Sequence, residues 1–392
     1  MRQQRAHKQE TAALSLKLRG SWHRSKHAAE NGPECQRHMP QGDGLRMDQP
    51  QTLAAYFAGW AADRPARRAV AATVGALAEV AIELTDLLGQ GALAGPLGRS
   101  TGKQGEGDDQ KEIDLLANNR IVDVLRGAPV AAVASEEMEA PLMLEEKAPL
   151  LVAVDPLDGS SNIDANASIG TIFTVLPALE HNAEPSAFMQ RGVNQLAGGF
   201  FVYGPQTVLA VTVGAGTQIF TLDRRSGTFL LTHAKVEIPL RTNEYAINDS
   251  NTRHWDDPIR TYVEDCRRGK EGPRGRDFNM RWTGSPVADI YRIVSRGGIY
   301  LYPGDKRRGF RDGRLRLIYE ANPMAWVIEQ AGGLASTGRE RLLEVTPTSL
   351  HQRVPMIAGS RIEVEHAVRL HDGLQMRGER SPLFSRRGLL RF

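Results

Sequence analysis

Leu150-Leu151-Val152-Ala153-Val154-Asp155-Pro156-Leu157-Asp158-Gly159-Ser160-Ser161-Asn162 is the stretch on which the reading of this chain turns. Five apolar residues in a row predict a buried strand, and the run ends abruptly at Asp155. A carboxylate delivered at the carboxyl edge of a sheet lies where open α/β sheets place ligands. Asp158 follows one turn later. Pro156 fixes that turn and leaves the Leu157 carbonyl beside two carboxylates, an all-oxygen set of the kind that hard magnesium prefers. Behind them Gly159, Ser160 and Ser161 offer successive backbone N–H groups and two hydroxyls, a cradle for a phosphate. A calcium loop needs oxygen side chains at its positions 3 and 5, where this stretch has Leu157 and Gly159. An acidic turn in which Asp155 and Asp158 merely cap a helix stays open on this stretch alone.

Other acids follow the same placement. Val130-Ala131-Ala132-Val133-Ala134 predicts a second strand, closed by Glu136 and Glu137, and two acids at one strand end repel unless a cation sits there. Arg314 to Tyr319 reads as a strand ending in Glu320, just before Asn322-Pro323 and a helix over Pro323–Ala331. Asp108 and Asp109 lie in a stretch, Gly89 to Gly107 and just beyond, rich enough in glycine to read as a mobile loop. From Asp108 to Arg126 helical spacing resumes, which puts Asp114 on a helix entered from that loop.

Around these sites the pattern predicts a helix over Arg67–Leu88 and short strands over Gly170–Pro177, Gly198–Tyr203, Val208–Val213 and Thr217–Leu222, a sheet of six or so with the two above. Beyond residue 240 it turns to a helix over Val287–Ser295 and a strand over Gly298–Pro303. The class is α/β. The expected organisation is a disordered basic extension (1–46), an N-terminal α/β domain with the metal site (47–240), a C-terminal α/β domain completing the substrate site (241–370) and a flexible tail (371–392).

Composition bounds the function. The net charge of +3 is uneven, since residues 1–46 hold nine Lys/Arg against four Asp/Glu. Three readings of that segment compete: a disordered extension or an upstream start read in error, with Met47 a natural alternative start; an organellar transit peptide, which would imply a plastid; and a functional basic arm. Two cysteines, Cys35 and Cys266, are too few for a disulfide framework, so a reducing cytoplasm is expected. No stretch approaches the roughly 20 apolar residues of a membrane span. There is no Gly-x4-Gly-Lys-Ser/Thr loop and no His-Glu-x-x-His, and neither cysteine has an arginine six positions on, so nucleotide triphosphatases, zinc proteases and cysteine phosphatases lose their signatures.

From roughly Gln51 to Leu370 the chain resembles class I fructose-1,6-bisphosphatase, within the wider inositol-monophosphatase-like sugar phosphatases. DPLDGSSNID (Asp155 to Asp164) and GRLRLIYEANPMAWVIEQAGG (Gly313 to Gly333) carry the resemblance, with GDDQKEID (Gly107 to Asp114), SEE (Ser135 to Glu137), EYAIN (Glu244 to Asn248) and GGIYLYPGDKR (Gly297 to Arg307) in the expected order. The resemblance implies a layered α-β-α-β-α fold with mixed sheets. It implies that Glu136, Asp155, Asp158 and Glu320, with the Leu157 carbonyl, bind magnesium, two or three ions to a site with manganese able to substitute, while Asp108 belongs to a loop closing over a further metal. Asp114 and Glu137 would activate the attacking water. Substrate would be held by Gly159, Ser160, Ser161, Asn248, Tyr302 and Arg314, with Arg281 reaching a sugar phosphate from the neighbouring subunit of a homotetramer.

The implied activity is release of phosphate from fructose 1,6-bisphosphate, in gluconeogenesis or the Calvin cycle, with neither nucleic acid nor membrane as partner. The alternatives are a sedoheptulose-1,7-bisphosphatase or dual enzyme, and a non-catalytic sugar-phosphate-binding regulator. The sequence departs from the family where Arg314 replaces a lysine, Asn251 and Trp282 replace tyrosines and Pro286 replaces a methionine. Asp63 to Arg68 and Pro149-Leu150 occupy regions that form the AMP site of AMP-inhibited members, so inhibition by AMP is expected to be weak or absent.

Overall fold

The structure is a computed structural model and describes residues 50–94, 100–104, 109–180, 182 and 184–379. The basic extension, Asp108 and the end of the tail lie outside the described residues. The largest element is a sheet of eight strands: β3 (Val130–Ser135), β4 (Leu142–Met143), β5 (Leu150–Asp158), β6 (Ile169–Pro177), β7 (Ala197–Tyr203), β8 (Val208–Thr212), β9 (Thr217–Asp223) and β10 (Thr228–His233). Preceding them is a hairpin, β1 (Ser100–Gln104) and β2 (Asp109–Lys111). The spatial order is β10-β9-β8-β7-β6-β5-β3-β4; β3 and β5 run parallel and the other neighbours antiparallel, so the sheet is mixed. The sheet thus exceeds the six strands expected by its two ends, β4 and β10. The glycine-rich stretch expected to be loop contains the β1–β2 hairpin, which delays the helix after it to Glu112.

A second sheet has the order β12-β11-β13-β17-β15, from β11 (Glu244–Ala246), β12 (Asn279–Met280), β13 (Ile299–Tyr302), β15 (Leu334–Ser336) and β17 (Met356–Gly359). A two-stranded ribbon pairs β14 (Leu315–Arg316) with β16 (Arg353–Val354). The helices are α1 (Leu53–Ala61), α2 (Pro65–Gln90), α3 (Glu112–Leu125), α4 (Asp257–Arg267), α5 (Pro286–Arg296), α6 (Asn322–Gln330) and α7 (Arg361–Glu379). Residues 371–379, expected in a flexible tail, therefore continue α7.

Side-chain alternation along the strands builds the layers. In β5, Leu150, Val152 and Val154 enter the core that α1, α2 and α3 form with one face of the large sheet, whereas Leu151 and Ala153 face a separate cluster with Ile318 and Tyr319. The other face also packs Ile172, Phe200 and Ala210 against α5, α6 and Tyr300 of the second sheet. The far side of that second sheet is covered by α4 and α7, through Ile259, Tyr262, Val263, Val364 and Ala367. Five layers result, helix-sheet-helix-sheet-helix, as expected.

Candidate active site

The site begins with an irregularity in β5. Asp155 pairs with Ile172 and Asp158 with Gly170, so three steps on β5 match two on β6. Residues three apart on a regular strand point to opposite faces; the extra residue of this bulge returns Asp158 to the face of Asp155. Pro156 has no N–H to lose from the ladder, and its carbonyl accepts the Thr171 hydroxyl at 2.8 Å. The strand expected to stop at Asp155 therefore runs on to Asp158. Gly159 then turns through φ 77°, and a side chain there would press on Ser285, so only glycine suits the turn into the short helical segment Ser160–Asn162.

Glu320 arrives differently from the expectation. Only Leu315–Arg316 is strand; Leu317–Ala321 forms a π-helical turn that leads into α6. This places Glu320 inside the turn and not at a strand end. The reason is local: the Glu320 carboxylate accepts the Arg316 backbone N–H, which closes the turn on itself.

Carboxylate oxygens of Asp155, Asp158 and Glu320 lie within 4.8 Å of one another, and all three residues are buried. Among the described residues their hydrogen bonds are from backbone: Leu157 N–H to Asp155 at 3.0 Å, Val287 N–H at the start of α5 to Asp158 at 2.9 Å, and Arg316 N–H to Glu320. Burial, and then the charges of Glu136, Asp158 and Glu320, push the Asp155 carboxyl well above the usual range. Burial drives Asp158 up to about 7 despite the Val287 bond, and burial followed by Glu136 raises Glu320. Glu136, next to β3 and bound through its backbone N–H to Val154 O, bears electrostatically on these three and on Asp114. Its carboxylate meets Arg316 Nε at 3.2 Å. Glu137 follows, its N–H on the Ser135 hydroxyl, and adds its charge to Asp155.

Asp114 stands in the first turn of α3, as expected. One oxygen accepts the Lys111 N–H at 2.9 Å and the Ser160 hydroxyl at 3.3 Å; the other, Oδ1, is buried with no hydrogen-bond partner among the described residues. Burial raises its pKa as well. Leu157 lies in the bulge without a partner residue on β6. Such a donor set fits a hard divalent cation: it is all oxygen, heavily anionic, buried and short of donors. Asp155, Asp158 and Glu320 could hold such an ion.

The expected substrate residues divide. Asn248, Tyr302 and Arg314 line one shallow pocket with Asn251 and Asp305. Tyr302 contacts Trp282 and Tyr300, and Tyr300 feels the charges of Asp158 and Glu320, so the aromatic group lies between pocket and acids. Ser160 adjoins Asp114 and Gly159 packs beside Ser285, while Ser161 is exposed. Arg281 is not part of this pocket; it follows the edge strand β12, half exposed, with Nε 3.7 Å from Glu244. Sequence reasoning missed Arg316, whose partner is 180 residues away, and Lys111, whose ammonium holds the Ser160 carbonyl at 2.9 Å. Its position three residues before Asp114 was the one available signal for Lys111.

Layered sheets carrying a buried oxygen-donor cluster beside a polar pocket define a metal-dependent phosphatase of the α/β class. Residues 66–234 match the family described as "Fructose-1-6-bisphosphatase, N-terminal domain", and residues 238–372 match "Fructose-1-6-bisphosphatase, C-terminal domain". The chain belongs to the class 1 fructose-1,6-bisphosphatase family. It is 55% identical over 342 residues to the class 1 fructose-1,6-bisphosphatase 1 of Xanthobacter autotrophicus, covering 86% of this chain and 91% of that one. It is 53% identical over 348 residues to the class 1 enzyme of Rhodopseudomonas palustris strain BisB5, covering 88% and 100%. The crystal structure of Leishmania major fructose-1,6-bisphosphatase in holo form superposes with a TM-score of 0.76 at 34% identity, covering 82% of this chain and 99% of that one.

Proposed function

We propose that the protein hydrolyses D-fructose 1,6-bisphosphate to D-fructose 6-phosphate and phosphate with magnesium, two or three ions to a site, manganese being able to substitute. The observation that carries this is the buried triad Asp155, Asp158 and Glu320, three mutually repelling carboxylates that among the described residues are bonded only to backbone N–H groups. Bound magnesium supplies charge neutralisation on the transferring phosphoryl group and a more acidic water. Glu136 and the Leu157 carbonyl complete the oxygen set, and Asp108 is assigned to a further ion. Asp114 and Glu137 act as the bases: the raised proton affinity of Asp114 suits a carboxylate that must take a proton from water near neutral pH. Gly159, Ser160 and Ser161 orient the reacting phosphate, with Ser160 tied to Asp114 and Lys111. Asn248, Tyr302 and Arg314 hold the remainder of the sugar phosphate, and a fixed position there converts binding into orientation. Arg281, exposed at a sheet edge away from this pocket, serves a neighbouring subunit's site in a homotetramer. The enzyme works in the cytoplasm; among the described residues no helix is long and apolar enough to cross a membrane.

Phosphate release is measured from fructose 1,6-bisphosphate, sedoheptulose 1,7-bisphosphate and inositol monophosphate, with magnesium or with chelator. Fructose 1,6-bisphosphate is expected to be preferred, with activity lost in chelator and little altered by AMP. Activity indifferent to chelator would sink the metal role, and preference for inositol monophosphate would sink the substrate.

A further inference from the structure

We propose that Phe310 is a positioning residue whose ring holds the Arg314 guanidinium at the pocket and thereby sets affinity for the sugar phosphate. This rests on the reading of Arg314 as a substrate-phosphate residue. The two residues belong to an arm of chain between β13 and β14. The Phe310 carbonyl accepts two backbone N–H bonds, from Asp305 at 2.8 Å and Gly313 at 3.2 Å, while its own N–H donates to Arg307 O at 3.2 Å. Gly313, at φ 84°, lies so close to Val354 and Pro355 that a Cβ would come within 2.4 Å of their backbone, so the end of the arm is pinned to β16 and the residue after it. The backbone that carries the ring is thus held from both sides.

On that ring two cations converge. The Arg314 guanidinium carbon is 4.1 Å from the ring centroid and that of Arg307 is 4.9 Å. They differ in what neutralises them. Arg307 is bound to Asp305 through Nε at 3.0 and 3.1 Å and through Nη2, and Asp305 is itself a buried lining residue of the pocket. Among the described residues no ion pair includes Arg314, and its buried Nε has no hydrogen-bond partner. The Asp305 carboxylate is therefore taken up by Arg307, which leaves the Arg314 charge, held over an aromatic face, for an incoming anion. A planar guanidinium gains more from such a stack than a flexible ammonium does, and a fork held in place loses less freedom when it grips two phosphate oxygens.

Wild type, F310L, F310W, R314M and F310L/R314M are compared for KM and kcat with fructose 1,6-bisphosphate, and for calorimetric binding of fructose 6-phosphate. F310L is expected to raise KM and weaken fructose 6-phosphate about threefold to tenfold, with kcat within about twofold of wild type. F310W, which keeps a ring, is expected to restore both. In the R314M background F310L is expected to add nothing, because the ring acts through the guanidinium. F310M, equally without a ring, is the second variant should F310L unfold at a lower temperature. Unchanged KM and binding in F310L and F310M would overturn the proposal, as would an equal loss when F310L is added to R314M. If R314M leaves KM and fructose 6-phosphate binding untouched, the assignment of Arg314 falls and the proposal with it. Absence of phosphate release by wild type would instead refute the activity, while the binding arm would still decide the role of Phe310.

Discussion

Two buried acid sites in this molecule are built on opposite terms. Glu363 at the start of α7 is fully buried and supplied by the protein itself: the Tyr262 hydroxyl donates to it at 2.7 Å, and Arg274 and Arg276 both bind it. Arg274 is further seated over the rings of Tyr262 and Phe278. Asp155, Asp158 and Glu320 are buried too, yet among the described residues they lie against one another and their hydrogen-bond donors are backbone N–H groups. A buried charge must be paired or neutralised. At Glu363 the chain does this with its own arginines, which closes the site; at β5 it leaves the task to a ligand, which makes the site chemical.

The contrast can be broken most severely at Asp158. D158N should lower kcat on the order of 10²- to 10³-fold or more and leave the unfolding temperature without chelator-sensitivity, because the oxygen set loses a charge. Turnover near wild type would show that Asp158 holds no metal. E363A should do the reverse: it strands two guanidiniums and is expected to destabilise the fold by about 3–5 kcal/mol in urea unfolding, while molecules still folded keep their KM. A change below about 1 kcal/mol would show that the arginines are solvated already. The gentlest probe is pH. Asp158, Asp155 and Glu320 have folded-state pKa values above the unfolded carboxylate range, so the metal-free fold binds more protons than the unfolded chain between about pH 4 and 7 and loses stability as pH rises through that window. Magnesium should therefore raise the unfolding temperature by a few degrees at pH 8 and by less at pH 5. An equal effect at both would mean that the ion binds elsewhere.

What could be read from residues alone follows from how local each cause is. Continuous apolar runs made β3, β5, β6 and β7 legible, and the stripe along α2 needed no partner to be seen. Asp114 at a helix start was likewise visible, because both the glycines before it and the periodicity after it are in the same thirty residues. The bulge at Pro156-Leu157 was not, since a proline after an aspartate signals the end of a strand, and only pairing with Gly170 shows that the strand resumes. Glu320 was found, but on the wrong element, because six residues of Arg314 to Tyr319 alternate well enough for a strand while the bond from Arg316 N–H winds them into a turn. Glu363 went unnoticed. Its partners are 87, 89 and 101 residues away, and a glutamate on a helix carries no sign of them.

The bulge in β5 also says what kinds of change the gene can carry at this point. A codon exchanged for another apolar one at Leu157 alters volume and little else, since the position is defined by its backbone. A codon lost between Asp155 and Asp158, with the reading frame kept, would leave both carboxylates on one face of a regular strand but abolish the bulged backbone that carries Leu157 between them. Length, more than spelling, is what this segment has to preserve.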